Sequence, residues 1–117
     1  MMNELIEQIF NGFTVDGVSI PVSFMFYDGK SETYVTYQEW GKDNSYSGDD
    51  ELLGFVSYYD FDVYSKGNYK NIIKEVKRIL KENGFTWQPS RDSEDMFEAD
   101  TRYFHKTLCF AIERGNE

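Results

Sequence analysis

One cysteine and one histidine are all that this chain of 117 residues holds of either type. With Cys109 alone no disulfide closes within the chain, which fits a reducing compartment. No apolar run approaches the roughly 18 to 20 residues that span a bilayer. The N-terminus lacks the basic region and apolar core of a signal peptide. A soluble, intracellular protein with no membrane partner is expected. Positive charge is scarce as well, since 12 Lys and Arg stand against 21 Asp and Glu, a net charge of −9. Gripping DNA requires cations that neutralise phosphates, so nucleic acid is excluded as a directly held ligand. An acidic lining still lets a polyanion slide past. The phosphate loop, GxGxxG, CxxC and HExxH are all missing, and no cofactor is called for.

What is plentiful is aromatic: nine Tyr and ten Phe, within an aromatic share of 18%. Small β-rich domains use such residues for core and cross-strand pairs, and tyrosine also favours protein interfaces. The number exceeds what one small core hides, so both uses stay open. The length suits a single domain, residues 1–117, with one core.

The clearest pattern lies between Phe55 and Leu80. Phe55, Tyr59, Phe61 and Val63 alternate along one side of a strand, with Asp60, Asp62 and Tyr64 on the other. After the polar turn Ser65-Lys66-Gly67-Asn68, the residues Tyr69, Ile72, Ile73, Val76, Ile79 and Leu80 form one stripe of a helix. Asn68 is placed to cap it and Gly84 to close it. Earlier, Asn3 is placed to cap a helix with Leu5, Ile6, Ile9, Phe10 and Phe13 on its apolar stripe. Asp16-Gly17 is a turn. Ile20 to Tyr27 reads as a strand, Asp28-Gly29 as a hairpin turn, and Thr33 to Trp40 as the returning strand. Gly41 to Glu51 has no apolar periodicity and reads as a long loop, of the kind that is functional or mobile. Phe85 to Gln88 reads as a short strand ended by Pro89, Ser90 to Asp95 as a polar loop, and Met96 to Ala99 as a short strand or turn. Arg102 to Arg114 is a long last strand with Phe104, Leu108, Phe110 and Ile112 inward. The order α-β-β-β-α-β predicts an α+β fold, a mainly antiparallel sheet with both helices on one face. Ile6, Ile9, Phe10, Ile72, Ile73, Val76 and Leu80 should pack against Phe24, Phe55, Phe61, Leu108 and Phe110.

Catalytic candidates are few. His105 and Cys109 share one face of a strand but stand about 13 Å apart at ~3.3 Å per residue, whereas a nucleophile and its base need about 3 Å. Asp60 and Asp62 lie about 7 Å apart by the same spacing and could hold a hard cation if Glu39 or Asp100 joined them; a solvated face explains so sparse a ligand set better. The charge pattern says more. The second helix carries Lys70, Lys74, Lys77, Arg78 and Lys81 against Glu75 and Glu82, a net +3 that leaves the rest at −12. Cations near a helix C-terminus suit its dipole. These run the whole length, which also fits a basic face that meets acidic loops of another copy in a head-to-tail contact.

The run YYDFDVYSKGNYKNIIKEVKRILKENGF, followed by DMFEADTRYFHKTLCFAIE, resembles the tail completion proteins of long-tailed, non-contractile phages and prophages of Gram-positive bacteria. These are tail terminators, or tail-to-head joining proteins. The resemblance covers roughly residues 53 to 114, with DVYSKGNY and DTRYFHKTL as its most specific words. It implies a non-enzymatic virion protein that assembles in the host cytoplasm. Its small α+β subunits would form a ring, of hexameric order, that halts tube growth at the tail–head junction. The partners implied are further copies of the chain, the tail tube protein and the head completion or connector protein, with DNA passing through unbound. The resemblance does not identify interface residues; the charge pattern points to Lys70, Lys74, Lys77 and Arg78 on the helix as the ring contacts. In the segment 41–51, Tyr46 would supply the apolar contact and Asp43, Asp49, Asp50 and Glu51 the polar ones, the segment ordering only on assembly. A small acidic adaptor or immunity-type protein that masks a basic partner is the competing expectation, and a metal-dependent enzyme the third.

Overall fold

A computed structural model describes residues 2–47, 51–67 and 69–115. Helix α1 (Met2–Ile9) leads into a small hairpin, β1 (Thr14–Val15) and β2 (Val18–Ser19). Strands β3 (Val22–Phe24), β4 (Thr33–Ser47) and β5 (Glu51–Ser65) follow, then helix α2 (Tyr69–Glu82). The chain ends with β6 (Thr86–Trp87), a 3₁₀ turn at Pro89–Arg91, β7 (Met96–Glu98) and β8 (Tyr103–Gly115). The main sheet has the order β3-β4-β5-β8-β6, with β7 also on β8. All its pairings are antiparallel except β3 with β4. The fold is α+β, as the alternation and helix stripes predict, with more strands than the six-element order.

Helix α2 shows how directly residues set structure. Tyr69, Ile72, Ile73, Val76 and Leu80 are buried along one stripe. Gly84 ends the helix at φ +92°. Its N–H donates to the Lys81 carbonyl at 3.4 Å while Phe85 N–H donates to the Leu80 carbonyl at 3.0 Å. These paired bonds satisfy carbonyls that the helix end would orphan, and Phe85 and Leu80 are both buried in the one core cluster. A side chain at Gly84 would resist that φ. Asn68, the expected cap, lies outside the described residues. Asn3 does not cap α1, because the helix already includes it from Met2 onward.

The core lies between the helices and one face of the sheet. Phe61 is fully buried at its centre, with ring centroids of Tyr37 and Phe110 at 5.9 Å and of Phe10 and Phe85 at 6.2 Å. Register explains this convergence: Tyr37 and Leu108 lie directly opposite Phe61 on the two flanking strands. Ile6, Val76, Leu80, Leu108 and Phe110 are buried around it. Phe24 and Phe55 do not serve as core partners; Phe24 is exposed at the sheet's edge and Phe55 is half-buried.

Three expectations need correction. Of the loop expected over 41–51, residues 41–47 and 51 are strand, and 48–50 lie outside the described residues. Strand β4 continues through Ser47 and β5 starts at Glu51, with Asn44 opposite Phe55 and Tyr46 opposite Leu52. Strand β8 ends opposite Gly54, so the tip of this hairpin pairs mainly with itself. A self-paired arm satisfies its backbone through its own ladder and needs no apolar alternation. Asp28-Gly29 does not turn a hairpin either, since β3 runs parallel to β4 with Val22 opposite Val35. Tyr27 instead folds over Gly29: a Cβ there would sit 2.2 Å from the phenol oxygen, which also accepts the Ser31 N–H at 2.9 Å. The strand expected over 20–27 is thereby cut to Val22–Phe24.

The polar segment after Trp87 is stitched along the outer edge of β8. Gln88 N–H donates to the Cys109 carbonyl at 2.8 Å and Ser93 N–H to that of Thr107 at 3.0 Å. Asp92 accepts the Cys109 N–H at 2.9 Å and the Trp87 indole N–H at 2.8 Å. Ser93 Oγ accepts the Thr107 N–H at 2.8 Å. Side chains thus complete the ladder between β6 and β7. Among the described residues no helix is long and apolar enough to cross a membrane.

Truncating a fully buried aromatic costs about 3 to 5 kcal/mol, whereas a surface substitution usually stays within about 0.5 kcal/mol. Phe61→Ala should therefore lower the unfolding free energy by the larger amount and Lys74→Ala by the smaller, as read by chemical denaturation.

Candidate functional site

Both α-helices cover one face of the sheet, and among the described residues the other face has no α-helix over it. Register places Tyr34 on β4, Tyr58, Asp60, Asp62 and Tyr64 on β5, and Tyr103, His105, Thr107 and Cys109 on β8 on this open side. At one end the aromatic rings form a continuous stack. Tyr27 and Tyr34 have centroids 4.7 Å apart, Tyr34 and Tyr64 4.7 Å, and Tyr64 and the His105 imidazole 4.1 Å. Tyr103 meets Tyr34 and Tyr64 edge-on, and the Lys66 ammonium lies 5.2 Å from its centroid. At the other end Trp40 stacks on Tyr58 at 5.2 Å, and the Arg91 guanidinium sits 4.9 and 5.2 Å from the two rings. All these are half-buried or exposed.

Between the aromatic ends lie carboxylates. Asp62 Oδ1 accepts from Thr107 Oγ1 and lies 3.2 Å from His105 Nε2. Glu98, opposite Tyr103, is exposed beside the tyrosines and accepts the Thr101 hydroxyl at 3.2 Å. Burial, then the neighbouring charge of Asp62, pushes the Asp60 carboxyl above its ordinary range, and a hydrogen bond with Trp40 opposes this. Among the described residues no lysine or arginine is bonded to Asp60 or Asp62. Glu39 does not join the two aspartates. It stands opposite Tyr59 on the helix side, and Asp100 lies in the turn after β7. Cys109 is fully buried, its thiol pushed up chiefly by burial, and it is separated from His105 along one continuous strand. The arrangement offers stacking surface and negative charge.

The cations of α2 are gathered on the opposite side of the sheet. Lys70, Lys74 and Lys77 share one flank of the helix and line a cleft of about 320 Å³ with Lys106 and Asp95. Lys106 Nζ lies 3.5 Å from Asp95. Lys77 sits 3.7 Å from the Trp87 centroid, and burial lowers its pKa, with the charge of Asp92 opposing this and Lys106 and Lys81 adding to it. Arg78 departs from this group. It points elsewhere on the helix and binds Glu75 and Glu82, each at 2.9 Å. Of the contacts expected in the segment 41–51, acidic Asp43 and Glu51 and apolar Tyr46 belong to the β4–β5 arm, their side chains outside the described residues, as are Asp49 and Asp50 entirely.

Sequence reasoning put Asp60, Asp62 and Tyr64 on the non-core side of their strand but did not assemble the open face. The rings of Tyr27, Tyr34, Tyr103 and Trp40 join it through pairing register and a folded-back loop. Phe24, Met25 and Phe26 were also missed as a surface feature. They are 46, 58 and 70% exposed in succession, because Met25 turns at φ +68° and ends the strand.

Two titrations follow. Burial, then the charge of Asp62, pushes the Tyr64 phenol up to about 12 from 10.0. A folded pKa above the unfolded one stabilises fully below the unfolded value and ceases to do so as pH rises through the folded one. Stability should fall between about pH 10 and 12, and Tyr64→Phe should flatten that fall in alkaline denaturation curves. The same sign holds for Asp60, whose raised pKa means that ionisation costs the folded state. Asp60→Asn should raise the melting temperature at pH 7 and change it little below the ordinary aspartate pKa.

Comparison with known protein families and with curated proteins returned no match, so the geometry of the two faces and the resemblance of residues 53 to 114 are what bear on function.

Proposed function

We propose that this chain is a tail completion protein, a non-enzymatic subunit that assembles as a ring at the end of a phage tail tube and joins tail to head. One observation carries most of the weight. The two runs that hold the resemblance meet on the open face. Asp62 and Tyr64 come from DVYSKGNY, and Tyr103, His105 and Thr107 from DTRYFHKTL. Tyr64 stacks on His105 and meets Tyr103 edge-on, while Asp62 bonds to His105 and Thr107. Two segments 40 residues apart in the chain thus build one aromatic, acidic surface without a helix over it. Such surfaces suit protein contacts, where large rigid rings provide area at low entropic cost.

Further features support an assembling subunit. The β4–β5 arm extends beyond β8, in a molecule measuring 53 × 27 × 23 Å. Phe24, Met25 and Phe26 place an apolar knuckle at the sheet edge, and exposed apolar clusters mark association sites. The net charge of −9 favours DNA passing through the ring without adhering.

Light scattering on the purified chain, alone and with tail tubes, tests this directly. The expected result is a closed ring of several copies, with tubes of uniform length when the chain is present during polymerisation. A phage deleted for the gene should form tails of irregular length that do not join heads. A monomer that ignores tubes and binds a basic protein tightly would replace this proposal with the acidic adaptor.

A further inference from the structure

The sheet separates two surfaces of opposite charge, each with few counter-ions among the described residues; on the helix side Asp92 acts on Lys77 and Asp95 on Lys70 and Lys106. On the helix side stand Lys70, Lys74, Lys77 and Lys81, spaced by four, three and four residues on one flank of α2. Like charges at such spacings repel. Asp95 is the carboxylate that lines their cleft, and it is already shared with Lys106 and with the Tyr69 hydroxyl. On the open side stand Asp60, Asp62 and Glu98 among tyrosines. Among the described residues no lysine or arginine is bonded to Asp60, which lies opposite Cys109 beside Asp62; burial and the charge of Asp62 oppose its ionisation and a hydrogen bond with Trp40 favours it.

We propose that the lysine row of one copy docks on the open face of the next copy, so that each lysine meets a carboxylate or the face of a tyrosine. The proposal rests on the chain being a ring subunit and names the surfaces that would join. Dimensions agree. From Lys70 to Lys81 the row is about 16 Å long at ~1.5 Å per residue. The acids run from the level of Tyr103, opposite Glu98, to that of Cys109, opposite Asp60, about 20 Å at ~3.3 Å per residue. The chemistry agrees too. The chain already sets lysines over aromatic rings, Lys77 on Trp87 and Lys66 on Tyr103, and such contacts strengthen when water is excluded. Because the two surfaces differ and lie on opposite sides of the sheet, their contact is heterologous and propagates, which yields a ring when the rotation closes. The acidic partner of the helix is then the open face and not the β4–β5 arm.

Charge reversal tests this with full-length protein. One variant carries Lys70→Glu and Lys74→Glu; the other carries Glu98→Lys and Asp60→Asn. All but Asp60 are exposed, and circular dichroism establishes that both variants fold. Each alone should self-associate about tenfold or more weakly than wild type, since like charges then face each other. Mixed in equal amounts, they should recover assembly, because in an alternating ring every contact again pairs opposite charges. The four substitutions in one chain should recover it as well. Variants that assemble singly as well as wild type does would overturn the docking and leave the ring intact. Weakened variants that no mixture rescues would overturn it too. Wild type that stays monomeric, alone and on tail tubes, would remove the ring itself and the docking with it.

Discussion

Everything in this fold is arranged around the ring of Phe61. Tyr37 and Leu108 sit beside it through strand register, Phe10 reaches it from the turn that ends α1, and Phe85 reaches it from the chain that closes α2. Each partner arrives by a different route through the sequence, so the ring links both helices to the three central strands at once. Its burial is also what gives the sheet two unlike sides. Once Ser57, Tyr59, Phe61, Val63 and Ser65 face the helices, the strict alternation of a strand sends Tyr58, Asp60, Asp62 and Tyr64 the other way. The surface argued to matter for function is in this sense the complement of the core.

How much of this could be read in the residues depends on the range of the interactions. Helix α2 was legible from Tyr69 to its glycine closure because stripe and terminator are local. The inward positions of β8 were legible for the same reason, with Leu108, Phe110 and Ile112 buried and Phe104 partly so. The parallel strand β3 was not, because Asp28-Gly29 carries a strong local hairpin signal that the packing of Tyr27 overrides. The arm was missed for a different reason. Apolar alternation reports a buried face, and a ladder that pairs with itself has no need of one. The basic flank of α2 was visible as composition, but Arg78 was grouped with lysines that it does not join; its bonds to Glu75 and Glu82 follow from three- and four-residue spacings. The open face needed register across three strands, which no single stretch of sequence contains.

The two sides also differ in how firmly their charges are held. On the open side, hydrogen bonds from Thr107 and His105 fix Asp62, and stacking fixes the tyrosines. Preorganised groups lose little entropy when a partner arrives. The lysines are mostly long, exposed chains, with Lys77 anchored on Trp87. A rigid acceptor and a mobile donor suit a contact whose register can adjust while a ring closes.

The stitched edge of β8 bears on solubility. An uncovered sheet edge is a template on which a foreign strand can grow, the usual beginning of aggregation. Here Asp92 and Ser93 occupy hydrogen-bonding positions that a strand would need, without themselves being a strand. Because the occupants are a carboxylate, a hydroxyl and a short turn, the edge offers an incoming backbone no continuous row of free amides. For the ring subunit proposed above, an edge closed to growth would leave contact to the faces.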